Sequence, residues 1–128
     1  MRVLRRYSDI AYVAMRVVVA FLYWSHGMQK VFGAFGGHQM PLASRLGVAG
    51  IIELVLGPLI GLGLATSWAA FIASGELAVA FFTAHFPRGG LPIQNGGELA
   101  AGYCFVFLYI ATRGGGRWSL DRLIGRAQ

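Results

Sequence analysis

Polar and ionisable side chains are sparse in this sequence, yet several of them recur at the ends of long apolar segments. His26, Gln29 and Lys30 close the first apolar segment. Each of the three later segments carries one glutamate: Glu53, Glu76 or Glu98. Such groups are costly within hydrocarbon-length segments, so they usually face one another or a watered cavity. Carboxylates beside a lysine and a histidine can bind the polar head of a ligand or pass protons to it.

The composition indicates an all-α integral membrane protein. Of the 128 residues, 56% are hydrophobic and 12% are charged, whereas a soluble domain has roughly 25% charged residues. The apolar residues form four blocks of near-membrane length, which predict an antiparallel bundle of four transmembrane helices over residues 10–30, 46–64, 67–86 and 96–112. No second domain or long linker is visible, so residues 1–128 are expected to form one membrane domain in contact with the lipid bilayer.

The basic residues predict the orientation of this bundle. The net charge is +6, but the arginines flank apolar segments and do not line one folded face, which argues against a nucleic-acid partner. Seven of them share the side of the two termini: Arg2, Arg5, Arg6, Arg113, Arg117, Arg122 and Arg126. Both termini are therefore expected in the cytoplasm, in a multi-pass inner-membrane protein. Ser119 is expected to cap a short amphipathic C-terminal tail on the membrane surface.

Depth along the helices predicts which polar groups meet. Six of them lie toward the outer side and are expected to line one pocket: His26, Gln29, Lys30, Glu53, Asn95 and Glu98. Arg16 lies about 10 Å and Glu76 about 15 Å from the inner helix ends, so a long arginine side chain is expected to form an intramembrane ion pair with Glu76. No spacing typical of a metal site occurs, and the single Cys104 excludes a dithiol relay within the chain.

Four motifs resemble those of the DoxX family of membrane proteins. Residues 26–33 resemble its H-G-x-x-K-[LV]-F-G signature, and residues 52–64 resemble its glutamate-bearing second helix. Residues 95–98 resemble its N-G-G-E motif, and residues 114–121 resemble its terminal G-x-G-x-[WY]-S-x-D motif. The resemblance implies a four-helix inner-membrane protein with both termini inside. For the name-giving members it implies a subunit of a quinone-linked thiosulfate-oxidising complex, and for others a role in thiol and oxidative-stress handling.

Three functions of different classes fit these features. The first is a redox-associated subunit whose bundle binds a quinone or a similar amphipathic small molecule, as part of a quinone-linked oxidoreductase. The second is a non-catalytic scaffold or assembly factor that docks a protein partner and uses the polar cluster to fix helix positions. The third is a small-molecule transporter that acts as a homo-oligomer. The residues alone leave open whether the chain is itself an enzyme.

Overall fold

The structure is a computed structural model that describes residues 1–125, and in this part of the chain all regular secondary structure is helical, with no strand. The expectation for Arg126 lies outside the described residues. Three helical segments are long and apolar enough to cross a membrane: Ser8–Phe32, Arg45–Leu62 and Thr66–Arg88. The prediction of a helical membrane protein is therefore confirmed.

Seven α-helices follow one another along the described chain. They are α1 (Arg2–Arg5), α2 (Ser8–Phe32), α3 (Arg45–Leu62), α4 (Thr66–Ala80), α5 (Pro92–Asn95), α6 (Glu98–Arg113) and α7 (Leu120–Leu123). Beyond α4 the chain continues as a π-helical turn, Phe81–His85, and a 3₁₀ turn, Phe86–Arg88. The four long helices lie where the sequence predicts apolar segments, and α7 is the helix of the C-terminal tail.

The helix ends follow from capping residues. Gly33 and Gly63 adopt the left-handed conformation, with φ of 68° and 76°, and so end α2 and α3. Glycine occupies this region without the steric cost that other residues incur there. The Ser44 side chain accepts a hydrogen bond from the Gly47 amide and caps the start of α3. These local signals separate α2, α3 and α4 into distinct antiparallel segments.

Helices α2 and α3 approach each other through glycines. A Cβ atom at Gly27 would lie 2.8 Å from the carbonyl oxygen of Gly50, and a Cβ at Gly57 would lie 2.7 Å from Cβ of Trp24. No side chain fits at either place without movement of its neighbours. Small residues of this kind are what allow transmembrane helices to pack closely.

Gly27→Ala is expected to lower the free energy of unfolding by about 1–3 kcal/mol, because the added methyl group forces α2 and α3 apart. Gly102 of α6 is a matched control, since a Cβ there meets nothing within 4 Å. Gly102→Ala is expected to leave stability unchanged or raise it by up to about 1 kcal/mol. Unfolding of micelle-embedded protein by increasing SDS, followed by tryptophan fluorescence, measures both. Equal effects at the two sites would contradict the close packing.

Helix α6 runs antiparallel to α4 along its whole length. At the start of α6, Gly97 packs against the ring of Phe81, and just beyond its end Gly115 lies against Thr66, the first residue of α4. In the centre of the bundle, Phe107 of α6 is fully buried and meets the ring of Tyr23 at 4.9 Å in an edge-to-face contact. The core of the bundle is therefore shared by α2, α3, α4 and α6.

Candidate functional site

An ion pair between α2 and α3 forms the first part of the candidate site. Nζ of Lys30 lies 2.6 Å from Oε1 of Glu53. Gly50 lies one turn before Glu53, and a Cβ there would be 2.8 Å from Cβ of Lys30. The missing side chain therefore lets the lysine lie along α3 and reach the carboxylate. Glu53 is 2% exposed, whereas a quarter of the Lys30 side chain is accessible.

Glu76 of α4 adds a second carboxyl group to this pair. Its carboxyl lies beside that of Glu53, with Lys30 close by. Both oxygens of Glu76 and Oε2 of Glu53 are buried without a hydrogen-bond donor. Two neighbouring carboxylates repel each other when both are ionised. A proton shared between two such groups replaces the repulsion with a hydrogen bond. The cluster therefore brings two buried carboxyl groups together beside one lysine.

Tyr23 belongs to the same buried polar cluster, although the pocket prediction did not include it. Its hydroxyl group is buried, lacks a hydrogen-bond partner, and lies near both Glu53 and Glu76. The signal was available, because Tyr23 and Lys30 are seven residues apart and therefore occupy one face of α2. A buried tyrosine hydroxyl normally has a partner, so this one is available to a group that enters the cluster.

A cavity of about 540 Å³ lies beside the cluster, between α3 and α4. Its walls are mainly aliphatic, from Leu46, Val48, Ala49, Ile52, Val79, Ala80 and Ala84. Its polar lining consists of Lys30, Arg45, Glu76, Thr83 and Arg88. Part of the wall is the π-helical turn after α4, and such turns are frequent at functional sites. The cavity is therefore mainly apolar, with three cations and one carboxyl group along its lining.

The predicted pocket residues separate into two groups. Lys30 lines the cavity, and Glu53 lies behind it in contact with Lys30. The other four are not among the residues that line this cavity: His26, Gln29, Asn95 and Glu98. His26 and Glu98 are exposed on the outside of the bundle.

The side chains of Gln29 and Asn95 form hydrogen bonds to the backbone of neighbouring loops. The Gln29 amide donates to the carbonyl of Phe35 at 3.2 Å. Asn95 is buried, donates to the carbonyl of Gly89 at 2.9 Å and accepts from the amide of Gly97 at 2.8 Å. These contacts use the side chains to order the two segments that precede α3 and α6.

The predicted Arg16–Glu76 ion pair is wrong. Glu76 lies ten residues after the start of α4, about 15 Å along the helix, and Glu53 lies nine residues before the end of α3, about 14 Å along it. The two glutamates are therefore level with each other. The guanidinium of Arg16 lies level with Gly61 near the C-terminal end of α3, where it donates to the Gly61 carbonyl at 3.3 Å.

Arg16 instead joins α2 to the C-terminal segment. It is 2% exposed and donates to the carbonyls of Gly115 and Trp118, the latter at 2.9 Å. Nearby, the hydroxyl of Tyr12 donates to the carbonyl of Gly114 at 2.5 Å. These contacts give the terminal glycine-rich motif a structural role, because its backbone carbonyls are the acceptors.

Asp121 joins the C-terminal segment to the turn between α3 and α4. Its carboxylate accepts hydrogen bonds from the amides of Ala65 and Thr66 at 2.7 and 2.9 Å, and from the Thr66 hydroxyl at 2.8 Å. The negative charge also lies at the start of α4, where it favours the helix dipole. The side chain is 1% exposed. Asp121 thereby fixes the tail against the turn between α3 and α4.

Comparison with known proteins finds one matching family model and one similar protein. The family model described as DoxX matches residues 11–86. An uncharacterized protein of Haemophilus influenzae is 40% identical over 125 residues, covering 92% of this chain and 93% of that protein. No solved structure matches. The matched region includes α3, α4 and most of α2, and therefore Lys30, Glu53 and Glu76.

Proposed function

Since this chain belongs to the DoxX family of membrane proteins, we propose that it is a redox-associated membrane subunit that binds a quinone-like amphipathic molecule in the cavity between α3 and α4. The observation that carries this proposal is Glu76, a residue that lines the mainly apolar cavity and whose two buried carboxyl oxygens have no hydrogen-bond partner. A buried polar group without a partner costs free energy, so its retention beside a cavity favours a ligand that supplies the missing contact.

The residues present fit such a ligand. A volume of about 540 Å³ lies within the range of roughly 300–1,000 Å³ that is usual for small-molecule sites. Aliphatic side chains such as Ile52 and Val79 suit a flat ring and an isoprenoid tail. When bound, a quinone supplies two-electron chemistry whose ring oxygens gain or lose protons. Electrons would come from a protein partner in the same membrane.

The chain's own residues then have distinct roles. Lys30 donates a hydrogen bond from the cavity wall, and its charge is held in place by Glu53. The Glu53–Glu76 pair holds a proton and passes it to or from an oxygen atom at the Glu76 end. Arg45 and Arg88 lie farther along the lining and attract electron-rich groups. None of these steps requires a redox group within the chain itself.

We also propose that the protein is a four-span bundle in the inner membrane. The segment Thr66–Arg88 is long enough to cross, and α6 packs antiparallel to it from end to end, which supports α6 as the fourth span. Six of the seven arginines on the terminal side are within the described residues. Two of them, Arg113 and Arg117, lie 3.3 and 3.5 Å from the carboxylate of Asp9 and so join the two terminal regions. This clustering supports a cytoplasmic position for both termini.

The proposal is tested by titrating detergent-solubilised protein with a short-chain ubiquinone and a short-chain menaquinone, and measuring binding by native mass spectrometry. Glu76→Gln is expected to weaken binding about tenfold, because a hydrogen bond to a charged group contributes ~1.5 kcal/mol. Val79→Trp fills the cavity and is expected to abolish binding. Ile72→Trp, on the exposed surface of α4 and outside the cavity lining, is the matched control.

Two results would contradict the proposal. One is that neither quinone binds to the wild-type protein. The other is that Val79→Trp and Ile72→Trp bind a quinone equally well, because the ligand would then lie elsewhere. In either case the cluster of Lys30, Glu53 and Glu76 is architectural, and the scaffold function becomes the better hypothesis.

A further inference from the structure

A second concave surface lies on the lipid-facing side of the bundle, along the seam between α2 and α3. Two neighbouring cavities, of about 710 and 370 Å³, share Val17, Gly61 and Leu62 and form one continuous groove. Small residues, including Ala20, Gly57 and Gly61, line the groove between larger side chains such as Phe21 and Trp24. It is separate from the cavity between α3 and α4, with which it shares no lining residue.

The groove is apolar at one end and basic at the other. Toward the middle of the bundle, between Phe21 and Trp24 of α2 and Pro58 of α3, its lining is apolar. At the end near the termini it is lined by three arginines: Arg16, Arg117 and Arg122. No carboxylate is among the described residues that line either part. The charge distribution therefore matches a molecule with an anionic head and an apolar tail.

Arg16 supplies an independent indication of a ligand at the basic end. The side chain is 2% exposed and lines the groove, and its Nε atom is buried without a hydrogen-bond partner. Its other nitrogens donate to backbone carbonyls. Arg122 is exposed beside it, and so is Arg117, which also lies 3.5 Å from the carboxylate of Asp9 outside the groove. Arginine groups gathered in this way suit a phosphate, which accepts several charge-assisted hydrogen bonds.

The length of the groove agrees with one membrane leaflet. Val13 at the basic end and Trp24 at the apolar end are eleven residues apart on α2, which corresponds to about 16 Å. Half of a hydrocarbon core of about 30 Å is nearly the same distance. One acyl chain anchored at the membrane surface would thus occupy the groove from end to end.

We propose that the groove between α2 and α3 is a binding site for one anionic diacyl phospholipid. Its phosphate contacts the arginines at the terminal end, and one acyl chain lies over the small residues of the seam. Basic sites on the cytoplasmic side of membrane helices bind anionic headgroups in this manner. The bound lipid would cover the seam and connect α2 to the C-terminal segment that carries Arg117 and Arg122.

The experiment is native mass spectrometry of the full-length protein titrated with phosphatidylglycerol or phosphatidylcholine in detergent. One phosphatidylglycerol is expected to bind in clear preference to phosphatidylcholine. Arg117→Gln/Arg122→Gln is expected to raise the Kd for phosphatidylglycerol about 30-fold, because each basic residue near a membrane surface contributes several-fold to binding. Arg2→Gln/Arg5→Gln, which removes two exposed arginines from the same end but outside the groove, is expected to change it less than threefold.

A second pair of variants tests the acyl-chain part and leaves the charge unchanged. Val17→Trp places a large side chain in the groove and is expected to weaken phosphatidylglycerol binding at least tenfold. Val18→Trp lies on the adjacent exposed position outside the groove and is expected to have no effect. Inorganic phosphate, added as a competitor, distinguishes a lipid site from an anion site.

Three outcomes would overturn the proposal. Equal binding of the two lipids shows that the arginines do not select an anionic head. Equal losses in the two arginine variants show an effect of overall surface charge only. An unchanged Kd in Val17→Trp, together with displacement of the lipid by inorganic phosphate, shows an anion site that does not use the groove. Lipid binding is measured without any quinone, so failure here is distinguishable from failure of the function proposed above.

Discussion

Arg16→Leu is expected to lower the free energy of unfolding by about 3–5 kcal/mol, the usual cost of breaking a buried charged network. The guanidinium is buried and donates to the carbonyls of Gly61, Gly115 and Trp118. Without it these three acceptors lose their hydrogen-bond donor. The C-terminal segment should therefore detach from α2 and α3. SDS-induced unfolding in micelles, followed by the fluorescence of Trp118 and the other tryptophans, measures the loss.

The control for this prediction is a second substitution at Glu76. If Arg16 were paired with Glu76, then Glu76→Gln would remove an uncompensated charge and restore stability to Arg16→Leu. The observed contacts predict no such rescue, so the two effects should add within about 0.5 kcal/mol. Arg16→Lys is expected to be intermediate, because an ammonium group retains the charge but cannot reach several carbonyls in the planar arrangement of a guanidinium. Rescue by Glu76→Gln would contradict the structure.

Lys30→Met is expected to lower the free energy of unfolding by about 2–3 kcal/mol, because it leaves the buried carboxylate of Glu53 without its counterion. This loss of unfolding free energy is smaller than that expected for a fully buried ion pair, because a quarter of the Lys30 side chain is accessible. Adding Glu53→Gln removes that carboxylate. The double variant should therefore be more stable than the sum of the two single effects by about 2 kcal/mol. The same SDS titration of the four proteins in this cycle measures the coupling.

A double-mutant cycle between Lys30 and Glu98 is the matched control for the Lys30–Glu53 ion pair. Glu98 is an exposed glutamate at the start of α6 and is not among the residues that line the cavity. Lys30→Met and Glu98→Gln are therefore expected to be additive. Coupling between Lys30 and Glu98 as large as that between Lys30 and Glu53 would mean that the outer polar groups form one cluster. In that case the arrangement expected from the sequence would be the better description.

The sequence alone determined the class of the molecule and the course of its long helices. Apolar segments of membrane length, separated by Gly33 and Gly63, are local properties, because a helix forms and ends according to residues within a few positions of each other. The charge and spacing of Lys30 and Glu53 also indicated polar groups that meet within the membrane, and the family resemblance followed from short motifs. Each of these features can be recognised from the order of residues along the chain.

Only the tertiary structure decided which polar groups are partners. Helical periodicity places a residue on a face and at a depth, but it does not state which neighbouring helix that face meets. Arg16 and Glu76 therefore looked complementary, although Glu76 is level with Glu53 and meets it across the bundle. The acceptors of Arg16 are backbone carbonyls at Gly61, Gly115 and Trp118. Every residue has a carbonyl, so no side-chain pattern marks those that a buried guanidinium will use.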